Sequence, residues 1–203
     1  MERLVVVSLT PPAWAPPGID AARWRRALAD DAVDLLATLA EVEPALAVAE
    51  AEASLAAAVA WPGMKVYALP NLSPRATFDR ATEDGFEQAA IIAPDAPDLP
   101  GMLIAKMLRP LGSRPTTAAP ASGEPRGLVG LATRLPVPAW LPEVNLDTAT
   151  VADIRATAPH VADVIGTPGW HRLRRTESLS RLDPATEGWD AIRALLTAGD
   201  AIR

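Results

Sequence analysis

Two short apolar runs frame the first half of the chain. Residues 4–9 (LVVVSL) and 89–93 (AAIIA) carry no charge, which predicts strands covered on both faces, as in the centre of a parallel sheet. Between them, Trp24, Leu28, Ala32, Leu35 and Leu39 recur at three- and four-residue steps, predicting a helix over residues 20–40. Residues 45–48 read as a weak strand, 49–60 as a helix, the alternating 64–69 (MKVYAL) as a strand and the polar 75–88 as a helix. A helix follows at 101–111, then strands at 116–121 and 127–133 joined by Ser-Gly-Glu-Pro-Arg. Residues 150–158 read as a short helix, 170–174 as an edge strand and 183–196 as an amphipathic terminal helix. Residues 10–18 hold four prolines and cannot be regular. Residues 136–142 are Pro-rich too, with Trp140 on a short turn.

Strands alternating with helices imply an α/β fold: a three-layer α/β/α sandwich around a mostly parallel sheet. The length suits one domain over residues 1–203. The Pro/Ser/Gly-rich stretch at 112–126 reads as a loop and hairpin, not a linker, and no internal repeat is visible.

Composition removes several function classes. A formal charge of −6 argues against a nucleic-acid partner, which would call for a basic face. The absence of cysteine excludes thiolate zinc sites and a Cys nucleophile, and His160 and His171, the two histidines, cannot make a His-rich metal centre. No apolar stretch reaches spanning length without Pro or charge, and residues 4–9 are too short for a signal sequence, so a soluble cytoplasmic protein without a membrane span is expected. There is no G-x-G-x-x-G after the first strand, no P-loop and no G-x-S-x-G elbow.

The candidate chemistry gathers after residues 89–93, in Pro94-Asp95-Ala96-Pro97-Asp98. Loops at the carboxyl ends of strands bind ligands in open α/β sheets, and hard carboxylate oxygens suit Mg²⁺ or Mn²⁺ carrying a phosphate. Equally, Asp98 can cap the next helix while Asp95 makes the turn. Arg23, Arg25 and Arg26 lie in the first turns of the first long helix, where a helix N-terminus and guanidiniums together attract phosphate; the rival is a solvated face paired with nearby acids. Gly123 lets backbone approach a ligand, or simply turns a hairpin. The basic run 170–175 (WHRLRR) reads as a packed Trp with solvated arginines, or as a phosphate contact. Asp183 before Pro184 reads as an N-cap, or as a second metal ligand.

The stretch Ala93-Pro94-Asp95-Ala96-Pro97-Asp98-Leu99 resembles the S-D-x-P-D-L element of small glycosyltransferase-like proteins in the nucleotide-diphospho-sugar transferase superfamily, relatives of the molybdenum-cofactor and phospholactate guanylyltransferases. The family's hairpin, roughly G-P-A-x-D-G-G-Y-x-L-I-G-L, is similar at both ends to residues 119–131, and its closing D-V-D-T-P-E-D-L keeps one carboxylate at Asp183 when set on residues 181–186. The resemblance implies a glycosyl- or nucleotidyltransferase acting on a nucleotide or nucleotide-sugar. Ser8 and Thr10 would face the base, Arg23 or Arg26 the phosphates, Gly123 the ligand, and Asp95 with Asp183 a Mg or Mn ion. Three departures touch that site: no Lys in residues 10–22, Glu124-Pro125-Arg126 for Gly-Gly-Tyr, and Arg181 for an acid. They imply weak triphosphate binding and leave open a degenerate relative acting as a binding or interaction protein, with Trp14 and Trp140 exposed to a partner.

Overall fold

A computed structural model describes residues 2–200. The chain runs through β1 (Arg3–Ser8), α1 (Ala21–Ala37), β2 (Glu43–Ala49), α2 (Ala53–Val59), β3 (Lys65–Leu69), α3 (Pro74–Glu83), β4 (Gln88–Ile92) and α4 (Gly101–Leu108). It continues through β5 (Thr116–Pro120), β6 (Leu128–Arg134), α5 (Val151–Thr157), β7 (Val164–Gly166), α6 (Thr176–Leu179) and α7 (Asp190–Asp200). The seven strands lie in the order β3-β2-β1-β4-β6-β5-β7. β1 pairs in parallel with both β2 and β4, β2 with β3 and β5 with β7, while β6 runs antiparallel between β4 and β5.

The apolar runs therefore meet as expected. Val5 lies opposite Ala90 and Val7 opposite Ile92 in the sheet centre. The side-chain period of two then builds two cores. Val5, Val7, Leu46, Val48 and Ile92 face α1, α2 and α4. Leu4, Val6, Ala45, Ala47 and Ile91 face α3, α5 and the Leu141–Val144 segment. These are the three layers the sequence predicts.

A third cluster extends the first helical layer. Trp24, Ala27 and Leu28 of α1 pack against Leu173, Leu182, Trp189 and Ile192. Asp31 of α1, fully buried, accepts hydrogen bonds from the amides of Ala191 and Ile192 at 2.8 and 3.0 Å. It thus satisfies two otherwise orphaned donors in the first turn of α7. Burial pushes the Asp31 carboxyl up to about 6, against those two hydrogen bonds.

Several expectations are corrected. The terminal helix begins at Asp190, not Asp183, because the chain takes a left-handed turn at Gly188 and α7 draws its cap from α1. Residues 170–174 form no strand: one isolated bridge joins Trp170 to Ala121, and the edge strand is the three-residue β7. The helix expected over 75–88 stops at Glu83, since Gln88 opens β4 and takes a hydrogen bond from Arg3 Nε at 3.1 Å. Trp14 and Trp140 are only half-exposed and serve the core. Trp14 sets its ring edge-on to Trp24 at 5.9 Å, and Trp140 packs on the α3/α5 side. No helix among the described residues is long and apolar enough to cross a membrane.

Candidate functional site

At the carboxyl edge of the sheet, β1 ends in Ser8 with Thr10 just beyond it, Ala93 follows β4, and β3 leads through Asn71 and Ser73 into α3. Together with the loop from Glu143 to Asp147 and with Arg172, these residues enclose a cavity of about 350 Å³. That volume falls within the range of small-molecule sites, and its place beside the two central strands is where open α/β sheets bind ligands. Ser73 caps α3 by accepting from the Ala76 amide at 3.2 Å, so a helix N-terminus also faces this edge. A larger hollow of about 590 Å³ lies at the amino edge, between Leu39 at the end of α1 and Met102 of α4.

The acidic pair beside the cavity is occupied from within the chain. Residues 170–175 fold back across the loop that follows β4. The Leu173 amide donates to the Asp95 carbonyl at 2.7 Å. Arg172 Nε donates to Asp95 Oδ1 at 2.5 Å, and Arg174 Nε lies 3.7 Å from the other carboxylate oxygen. The Arg172 side chain is 3% exposed and that of Asp95 2%. Arg172 Nη1 donates to the carbonyls of Leu128 and Leu146 at 3.0 and 3.1 Å, and Nη2 meets Asp147 Oδ1 at 2.9 Å. Asp98 accepts from Trp170 Nε1 at 3.0 Å and has His171 Nε2 3.1 Å away, with the indole and imidazole stacked. Asp98 therefore caps nothing: α4 has no side-chain cap.

The expected site residues separate into two groups. Ser8 and Thr10 line the cavity. Arg23 is exposed on the first turn of α1, while Arg26 is spent on Asp30 and on the Ala58 carbonyl. Arg25 instead holds the edge: it grips Glu52 at 2.5 and 2.7 Å and donates to the Leu9 carbonyl at 2.7 Å, fixing the loop after β1. That contact holds the Glu52 carboxyl below its ordinary range. Gly123, at φ 77°, makes room for the Arg181 guanidinium, which donates to the Ser122 carbonyl at 2.7 Å. Arg175 clamps the same hairpin through Glu124 at 2.7 Å and the Gly123 carbonyl at 3.2 Å.

The two expected metal ligands, Asp95 and Asp183, are each engaged within the chain. Asp95 is ion-paired and buried, and Asp183 is exposed and bonded within its own turn to the Ala185 amide at 2.8 Å. Among the described residues no three His, Asp or Glu side chains are grouped to hold an ion. Hard cations need several free oxygens, and here a guanidinium occupies them.

No protein-family model matches the sequence, and no curated protein matches it. Solved structures match over nearly the whole chain. A protein of Desulfovibrio desulfuricans G20, described as a candidate nucleotide-diphospho-sugar transferase, is 15% identical with a TM-score of 0.68, over 98% of this chain and 99% of that one. The chain has the nucleotide-diphospho-sugar transferase fold. The 4-diphosphocytidyl-2C-methyl-D-erythritol synthase of Anaerococcus prevotii shares it at 9% identity and TM-score 0.61, over 89% of this chain and 95% of that one. So does a Mycobacterium tuberculosis H37Rv protein solved in complex with manganese, at 13% identity and TM-score 0.58, over 91% and 98% of the two chains. In this chain the carboxyl edge of the seven-stranded sheet holds the cavity, and the arginine-rich segment packs on Asp95 beside it.

Proposed function

We propose that the protein binds a nucleotide or nucleotide-sugar in the carboxyl-edge cavity, as a glycosyl- or nucleotidyltransferase-like protein that places no divalent ion on Asp95. The observation that carries this reading is the cavity itself. It lies beside the central strands of a transferase fold, with Ser8, Thr10 and Asn145 as hydrogen-bonding groups and Leu72, Val144 and Leu146 as apolar walls. Such a mixture suits a base and ribose. The finer kinship with small glycosyltransferase-like proteins rests on the Asp95-to-Leu99 element and the hairpin ends.

Thermal-shift measurements with nucleoside diphosphates and nucleotide-sugars test the reading, each with Mg²⁺, with Mn²⁺ and with EDTA. A rise in midpoint for at least one nucleotide, equal in all three conditions, is expected. No rise with any nucleotide removes the binding reading. A rise that needs the metal removes the metal-free part of it.

Both carboxylates are engaged within the chain, Asp95 by the Arg172 guanidinium and Asp98 by the Trp170 indole, which favours a second reading, in which the fold binds its ligand without turning it over. Phosphorus NMR of a bound nucleotide-sugar separates the two. Release of nucleoside diphosphate or monophosphate rules out the silent binder.

A further inference from the structure

We propose that the Asp147 carboxylate is a displaceable internal substitute for a ligand phosphate, and that Arg172 and Arg174 behind it form a diphosphate-binding site that needs no metal ion. The inference deepens the nucleotide reading by naming what meets the phosphates. It rests first on an asymmetry of burial. The side chain of Asp147 is 52% exposed, whereas those of Arg172 and Arg174 are 3% and 15% exposed. A single carboxylate oxygen, Oδ1, lies against both guanidiniums, at Nη2 of each. Two guanidiniums converging on one oxygen is an arrangement suited to phosphate, which offers further oxygens and more charge.

Arg172 keeps its orientation without Asp147. Asp95 and the Leu128 and Leu146 carbonyls hold its Nε and Nη1, leaving Nη2 aimed outward. Arg174 is held in place as well: its Nη1 donates to the Asp147 main-chain carbonyl at 3.2 Å, and its buried Nε, which makes no hydrogen bond, lies 3.7 Å from Asp95. Charge points the same way. Asp95 balances one guanidinium and Asp147 the other, so moving Asp147 into solvent leaves one uncompensated positive charge. Asp147 lines the same cavity as Arg172, so a phosphate arriving there lies next to a nucleoside held by Ser8 and Thr10. Asp147 is exposed, so its carboxylate regains water when it swings away, while the incoming phosphate takes its place against the two buried guanidiniums.

The test is calorimetry in EDTA with inorganic pyrophosphate as a base-independent probe, alongside UDP, CDP, ADP, GDP and their nucleosides, on the wild type, D147N and R174Q. D147N keeps the shape and removes the competing charge. It should bind pyrophosphate at least about tenfold more tightly than wild type, and R174Q about tenfold more weakly, by the weight of one charge-assisted hydrogen bond. Nucleoside affinity should not move. Unchanged or weaker pyrophosphate binding by D147N overturns the proposal, as does binding that appears only with Mg²⁺. Should R174Q fail to fold, the D147N comparison decides alone. If pyrophosphate responds but no nucleotide binds better than pyrophosphate, the anion site stands and the nucleotide reading falls. If a nucleotide binds and D147N makes no difference, the nucleotide reading stands and this proposal falls.

Discussion

Arg172 and Asp95 stand 77 residues apart in the chain and 2.5 Å apart in the fold, Nε to Oδ1. Both are almost wholly buried at the edge of the cavity. The pair joins the segment leading into α6 to the loop after β4, and the Leu173-to-Asp95 backbone bond runs beside it. A buried carboxylate with a guanidinium at that distance is not free to ligate an ion.

The pair should behave as one unit. Removing either partner leaves a buried charge unpaired, which typically costs about 3–5 kcal/mol. D95N and R172M should each lower unfolding free energy by an amount in that range, read from urea denaturation. The double variant D95N/R172M should cost clearly less than the sum, with a coupling of at least ~1 kcal/mol. Additive losses would show that the contact is incidental.

The same geometry predicts how a metal site can be built. R172D/R174D replaces both guanidiniums facing Asp95 and Asp147 with carboxylates, giving four acids where the wild type has two acids and two bases. Mn²⁺ should raise the thermal midpoint of this variant by several degrees and leave the wild type unmoved, an effect of ligand linkage. A wild-type midpoint that rises with Mn²⁺ in the absence of nucleotide, and falls back with EDTA, would contradict the ion-pair reading of Asp95.

The central strands were legible because an uncharged run of five or six residues encodes burial on both faces, and β1 and β4 do pair. What escaped was everything held by distant partners. β7 and α6 span three and four residues, too few to show a period. Asp183-Pro184 looks locally like a helix start, yet the cap of α7 is Asp31, 160 residues from Ala191. Asp95 and Asp98 allowed a metal or a capping reading, and neither weighed a partner elsewhere in the chain. One signal was present: an acidic pair with no nearby base, and a basic run at 170–175 with no nearby acid before Glu177.

Gly123 offers a direct test of structural against ligand roles. Its φ of 77° favours glycine, and a Cβ there would run into the Arg181 guanidinium. G123A should therefore lose about 1–2 kcal/mol of stability, from backbone strain and a displaced side chain. Its affinity for any nucleotide that binds the wild type should stay within about twofold, because Gly123 is outside the cavity lining. A large affinity loss in a stable G123A protein would return Gly123 to the ligand site.

Asp31 links stability to pH through the docking of α7. Its carboxyl is raised from 3.8 to about 6, chiefly by burial, with Asp34 and Asp190 adding to the rise. Between those two values the folded protein holds a proton that the unfolded chain releases. The contribution is therefore fully present below 3.8 and is lost as pH rises through about 6. Other acids oppose this. Glu52 and Asp84 are held below their ordinary range by Arg25 and Lys65, so their contributions fade as pH falls instead. Comparison with D31N isolates the Asp31 part, since the remaining groups are common to both proteins. From pH 7 to pH 5 the wild type should gain about 1 kcal/mol relative to D31N, measured by urea unfolding at each pH. Near-ultraviolet circular dichroism from Trp24 and Trp189, which flank the α1–α7 contact, should lose amplitude first on the alkaline side. A wild-type-minus-D31N difference that is flat over this range would show that Asp31 remains ionised throughout it, held as an anion by the amides of Ala191 and Ile192.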